Sequence, residues 1–274
     1  MKIDRFQYLR KEIFIKEYLK KNRPVIITGL ADEWPARSKW LEEGYLEKVI
    51  GNKRVTVTIS KDKTVVNPDK GWKYKQMHIP FMDFIRLLND EKEKKIYYYL
   101  EAATVENLSP MLLEDFNIPE CIPRRASKVQ TNLWIGSGGN INPIHYDFSS
   151  NFLTQIKGEK RVLLFPPSMT DNLYGNMYNI RSKSMNLSPF NLINPDYEKY
   201  PKAKDATPIE VILKEGEMLF IPIFWWHFVE TLAMEKTISL NFWWRGPKRD
   251  YLLKKNGWRI MAYFLYSKYI SKNK

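Results

Sequence analysis

Three side chains that bind metal ions stand at spacings a folded chain could bring together. His145 and Asp147 lie two positions apart in Asn140-Ile-Asn-Pro-Ile-His-Tyr-Asp147. On an extended strand, side chains at i and i+2 project to one face, so an imidazole and a carboxylate would converge there. His227 follows much later, after Ile221-Pro222-Ile-Phe-Trp-Trp226, a strand and a short connection into another strand. The remaining histidine, His78, has no such company and reads as structural.

Two imidazoles and one carboxylate on one side of an ion leave its other positions open. That set suits a non-haem Fe(II) oxygenase and would equally hold zinc with an open water position. A cosubstrate anchor would separate the two. Lys160 is the candidate, because Gln155-Ile-Lys-Gly-Glu-Lys-Arg-Val-Leu-Leu-Phe-Pro-Pro167 reads as a hairpin whose second strand could aim Lys160 inward beside Val162 and Leu164. An ammonium inside an apolar container demands an anion, and a dicarboxylate that also chelates the metal would supply one. Spacing alone allows the plainer reading, an exposed lysine at a turn.

The elements needed to position these groups are legible in outline. From Val129 the chain runs in short apolar strands separated by Gly, Pro and Asn: Thr131–Ile135, Ile144–Phe148, Phe152–Ile156, Arg161–Phe165, Glu210–Ile212, Met218–Pro222, His227–Thr231 and Thr237–Trp243. That density predicts a mainly β fold, an antiparallel barrel or jelly roll, interrupted by a long Asn-, Ser- and Pro-rich insertion over 166–208 of the kind that serves as a lid. Upstream, the spacing predicts helices over Ile3–Lys21, through Trp34–Val49 and after Pro80. Strands are expected at Val25–Thr28, Arg54–Ser60 and Ile96–Leu100, a polar loop or hairpin at Lys61–Lys75, and a wandering segment through Leu108–Arg125. The expected organisation is one domain over 1–246, with its barrel core at about 129–246, and a C-terminal helical extension over 247–274 whose apolar residues could pair two copies.

Composition narrows the setting. With 44 basic and 31 acidic residues the net charge is +13, which attracts nucleic acid, an acidic protein segment or an anionic surface; scattered, solvated lysines account for it equally well. Cys121 is the single cysteine, so no internal disulfide or cysteine-based zinc site can form. The charged N-terminus lacks the apolar region of a signal peptide, and no apolar run could span a bilayer, so no membrane role is expected and the cytoplasm is the expected compartment, or the nucleus in a eukaryote.

Taken together, His145-Tyr-Asp147, Asn151-Phe-Leu-Thr-Gln-Ile-Lys-Gly158, Lys160-Arg161, Leu164-Phe-Pro-Pro167, Asn194-Pro-Asp-Tyr197, Gly216-Glu217, Ile221-Pro222, Trp225-Trp-His227 and Asn241-Phe-Trp243 resemble the Jumonji C, or cupin-like, 2-oxoglutarate oxygenases. Within these the pattern is most similar to the asparaginyl hydroxylase called factor inhibiting HIF and its small bacterial relatives. The resemblance implies a double-stranded β-helix with flanking N-terminal helices, a dioxygenase using Fe(II), 2-oxoglutarate and O2, and a hydroxylated protein or peptide side chain, with succinate and CO2 as coproducts. It implies iron ligands at His145, Asp147 and His227, and 2-oxoglutarate contacts from Lys160 and Tyr99. Asn151 and Asn241 would line the cosubstrate pocket, and Trp134 and Trp243 would face the substrate.

Two positions depart from that pattern. Asn142 stands where the family often has Thr or Ser, although an amide still donates a hydrogen bond to a carboxylate. Glu101 stands where the asparaginyl hydroxylase pattern has an amide, which favours a cationic substrate side chain. An RNA or small-molecule hydroxylase of the same chemistry is the alternative, ahead of a lysyl demethylase or a non-catalytic cupin-like binding module.

Overall fold

A computed structural model describes residues 2–64, 75–90, 96–175, 186–232 and 235–246. The expected C-terminal extension and its dimer contact lie outside the described residues. Among the described residues, thirteen strands form two sheets. The strands are β1 (Asp4–Gln7), β2 (Val25–Thr28), β3 (Arg54–Ser60), β4 (Lys75–Pro80), β5 (Tyr97–Thr104), β6 (Gln130–Gly136), β7 (Ile141–Tyr146), β8 (Ser150–Lys157), β9 (Lys160–Phe165), β10 (Ile209–Leu213), β11 (Met218–Ile221), β12 (Trp226–Thr231) and β13 (Thr237–Trp244). The major sheet runs β1-β2-β11-β8-β13-β6-β5-β3-β4, and the minor sheet β10-β9-β12-β7. Every pairing is antiparallel except β1 with β2.

The period-2 alternation of these strands sorts their side chains into three layers. Phe152, Ile156, Leu133, Ile135, Leu240 and Phe242 face away from the minor sheet, into the largest core, where they meet Phe14, Trp34, Trp40 and Phe84 from the N-terminal helical pieces. Their odd-even partners face inward. Leu153, Leu219 and Ile221 of the major sheet meet Val162, Leu164, Val211 and Val229 of the minor sheet in a second core between the sheets. The third core, with Tyr146, Phe165, Trp226 and Phe228, lies on the outer face of the minor sheet under the insertion. The sheets are thus packed face to face as a jelly roll, without closing into a hydrogen-bonded barrel.

One expectation is corrected here, and two segments gain detail. Asp4–Gln7 is a strand added parallel to β2, and helix begins only at Lys11; its apolar spacing was equally open to both periods over four residues. Lys75–Pro80 forms β4 on β3, so Pro80 ends a strand and caps the helix Phe81–Asn89 in one step. The described part of the insertion packs as a strap. Thr170 Oγ1 accepts from Trp226 Nε1 at 3.0 Å, and the backbone of Asn186 and Ser188 pairs with Tyr146 and Ile144 along the outer edge of β7.

Candidate metal and cosubstrate site

Two β-bulges build this site. β7 and β12 pair His145 with His227 directly, but Asn142 with Val229, so β7 carries one extra residue around Pro143. The bulge returns both Asn142 and His145 to the interior, which strict alternation would forbid. In β5 the register slips between Leu100 and Ala103, with Ala102 at φ 46°. Tyr99 stays on the interior face opposite Gly136. A Cβ on Gly136 would sit 2.9 Å from Tyr99 Cδ2 and against Asn140 Oδ1, so only glycine lets the phenol ring lie there.

His145, Asp147 and His227 converge with ligand atoms all within 4.8 Å of one another. Asp147 does not share a strand with His145 as expected. It follows the last residue of β7, and its carbonyl accepts from Phe224 N at 3.3 Å, which ties the turn to the connection before β12. Each histidine has its tautomer set the same way. His145 Nδ1 donates to Pro143 O at 2.8 Å and His227 Nδ1 to Trp225 O at 3.0 Å, which leaves both Nε2 lone pairs free. Asp147 Oδ2 accepts from Trp243 Nε1 at 3.1 Å and from Asn151 Nδ2 at 3.5 Å. Burial pushes the Asp147 carboxyl above its usual range, against the charge of His145 and the donors from Trp243 and Asn151. Burial, with the charge of His145, holds His227 well below the usual imidazole range, hence neutral. A buried carboxylate beside two imidazoles whose Nε2 atoms are left without a hydrogen-bonded carbonyl fits a divalent cation.

The cosubstrate side passes the same test. Lys160 is 3% exposed, and its Nζ reaches Tyr99 OH at 3.5 Å. No carboxylate pairs with it among the described residues, and burial brings its ammonium down to about 7. Burial, then the charge of Glu101, raises the Tyr99 phenol, so it remains a neutral donor. Asn151 Oδ1 and Trp134 Nε1 are buried without a hydrogen-bond partner. A buried cation and spare polar atoms facing one cavity are what an anionic ligand would satisfy. Tyr99, Trp134, Asn142, Asn151, Lys160, Asn241 and Trp243 line that cavity together with the three metal ligands.

Glu101 is not part of this lining. It sits at the β5 bulge, where burial lifts its carboxyl to about 7 despite a hydrogen bond with Thr58. A second, larger cavity of about 460 Å³ opens beside the first. Asp147 and Trp243 belong to both, and Ser127, Lys128, Gln130, Ser149 and Arg245 form its rim and walls. Sequence reasoning did not find this groove, because its residues come from three distant segments and share no motif.

The arrangement of triad, lysine and phenol decides between families when set beside known proteins. Residues 10–250 match the family model described as a cupin-like domain. The chain belongs to the cupin-like JmjC family. JmjC oxygenases use Fe(II) and 2-oxoglutarate, and His145, Asp147 and His227 form a group able to hold the metal. It is 32% identical to the lysine-specific demethylase JMJ30 of Arabidopsis thaliana over 89% of the chain and 54% of that protein. It is 31% identical to JmjC domain-containing protein C of Dictyostelium discoideum over 97% of the chain and 74% of that protein. It is 29% identical to the tRNA wybutosine-synthesizing protein 5 of Gallus gallus, over 86% of the chain and 74% of that protein. The JmjC chain thus spans about half the length of the demethylase, and none of these names is that of an asparaginyl hydroxylase.

Proposed function

We propose that this JmjC enzyme hydroxylates a side chain of a protein or peptide. The observation that carries the reading is the groove of about 460 Å³ that meets the metal site at Asp147 and Trp243. It is open at the surface, so a residue of a larger molecule can reach the ion while its backbone lies outside. Bound Fe(II) would supply the oxidising chemistry, with 2-oxoglutarate decarboxylated to succinate and CO2. The protein's part is positional. His145, Asp147 and His227 hold one face of the ion, Lys160 and Tyr99 meet the far carboxylate, and Trp243 both orients Asp147 and forms the wall between cosubstrate and substrate. Glu101 lines neither cavity, and the cationic substrate side chain expected from it gains no support there.

The test is incubation of the Fe(II)-loaded protein with 2-oxoglutarate and a panel of peptides, read by mass spectrometry, with His145→Ala as control. A one-oxygen gain that the variant loses supports hydroxylation. Loss of a methyl group from methylated lysine would place the chain with the demethylases instead.

A second reading, hydroxylation of RNA, is favoured by the +13 charge, by Lys128 and Arg245 on the groove and by the wybutosine-synthesizing relative. It requires tRNA binding that weakens steeply with salt, and no binding at low salt removes it.

A further inference from the structure

A row of amide side chains crosses the major sheet between the two cavities. Gln130, on the wall of the groove, donates from Nε2 to Asn132 Oδ1 at 2.8 Å. Asn132 donates from Nδ2 to Asn241 Oδ1 at 3.1 Å. Thr104 Oγ1 lies 3.4 Å from Asn132 Oδ1 on the other side. The three residues Thr104, Asn132 and Asn241 are directly opposite one another on β5, β6 and β13. Asn132 is fully buried and lines neither cavity, whereas Asn241 lines the metal and cosubstrate cavity.

An amide has one accepting end and one donating end, so a chain of them has a polarity. With its oxygen taken by Asn132, Asn241 has only its NH2 left for the cavity. Reversing the chain would turn a carbonyl oxygen toward the anion that Lys160 and Tyr99 await. We infer that Asn132 is a positioning residue for the cosubstrate: it locks the Asn241 amide with its donor toward 2-oxoglutarate, and Gln130 at the groove sets the direction of the lock. The inference rests on the reading of this cavity as the 2-oxoglutarate pocket. It also makes the groove wall and the cosubstrate pocket neighbours in one hydrogen-bonded chain.

The experiment measures 2-oxoglutarate binding calorimetrically on the full chain loaded with Mn(II), with Mn(II) affinity and thermal unfolding measured in parallel. In Asn132→Asp the new side chain can only accept, so Asn241 must turn its NH2 away from the cavity. The expected result is at least a tenfold weaker binding of 2-oxoglutarate with Mn(II) affinity unchanged. In an Asn241→Ala background the same change should cost nothing further, because Asn132 acts through Asn241. Gln130→Met, at an exposed position that does not threaten folding, should weaken binding roughly threefold. Wild-type affinity in both Asn132→Asp and Gln130→Met, or losses that add in the double variant, would overturn the inference. Wild-type protein that takes Mn(II) but no 2-oxoglutarate would overturn the reading of the pocket and this inference with it.

Discussion

Asp115 and Asp147 are both buried carboxylates, and the difference between their surroundings separates scaffold from site. Asp115 is fully buried and accepts from Lys39 Nζ at 3.0 Å, Trp40 Nε1 at 2.8 Å and Tyr45 OH at 2.7 Å. Burial and then the bond to Asp115 raise Tyr45 to about 12, so it stays a donor. That carboxylate is complete: it has a cation on Oδ1 and two neutral donors on Oδ2, and it ties the N-terminal helical pieces to the segment after β5. Asp147 has two donors on one oxygen, a nearby His227 that burial and then the charge of His145 hold well below the usual imidazole range, and a proton affinity raised by burial. A folded chain that satisfies one acid in full and leaves the other short of charge is keeping the second for an ion.

The contrast breaks first at Asp147. Asp147→Ala should abolish turnover and weaken Mn(II) binding by more than about 100-fold, while metal-free protein unfolds at the same temperature or higher, because an uncompensated buried acid has been removed. A large loss of stability in that variant would mean that Asp147 is scaffold after all. Asp115→Ala should do the reverse. It strands the Trp40 and Tyr45 donors and costs about 3 kcal/mol or more in urea unfolding, with Mn(II) affinity of the folded protein unchanged.

How far each acid could be read from sequence follows from the range of its contacts. Asp147 was legible because its partner His145 is two residues away and His227 sits in a strand with a recognisable approach. All eight strands expected after Val129 are present, with ends within a few residues, because alternation and Gly or Pro punctuation are local signals. Asp115 fell in a stretch read as wandering, since the residues it binds lie far upstream and nothing local marks it. The bulges at Pro143 and Glu101 were hidden for a related reason: periodicity places side chains on faces only while the register holds. The amide row through Asn132 carried one unused signal, that Asn132 and Trp134 share a face of the same strand.

Lys160 sharpens the comparison on the cosubstrate side, since it is a buried cation without the carboxylate that Lys39 has. Lys160→Met should weaken 2-oxoglutarate binding by about 10- to 100-fold and raise the unfolding temperature of the ligand-free protein. Equal 2-oxoglutarate affinity in the variant would show that the lysine faces no anion.

The smallest effect is a proton. In ligand-free protein burial holds Lys160 at about 7 against 10.5 for the free side chain, so above pH 7 the pocket presents a neutral amine. A dicarboxylate bound there favours the ammonium, and each binding event above pH 7 must therefore take up a proton. Affinity should be greatest below pH 7 and fall as pH rises through it, approaching about tenfold per unit. Stability of the ligand-free protein runs the other way. Between about 7 and 10.5 the unfolded chain binds more protons at this lysine than the folded one, so this group adds stability as pH rises across that window. Calorimetry at pH 8 in buffers of different ionisation enthalpy measures the uptake directly. Binding heats independent of buffer would mean that Lys160 is already charged in the free pocket, and that its missing partner is supplied by the protein as Asp115 supplies one to Lys39.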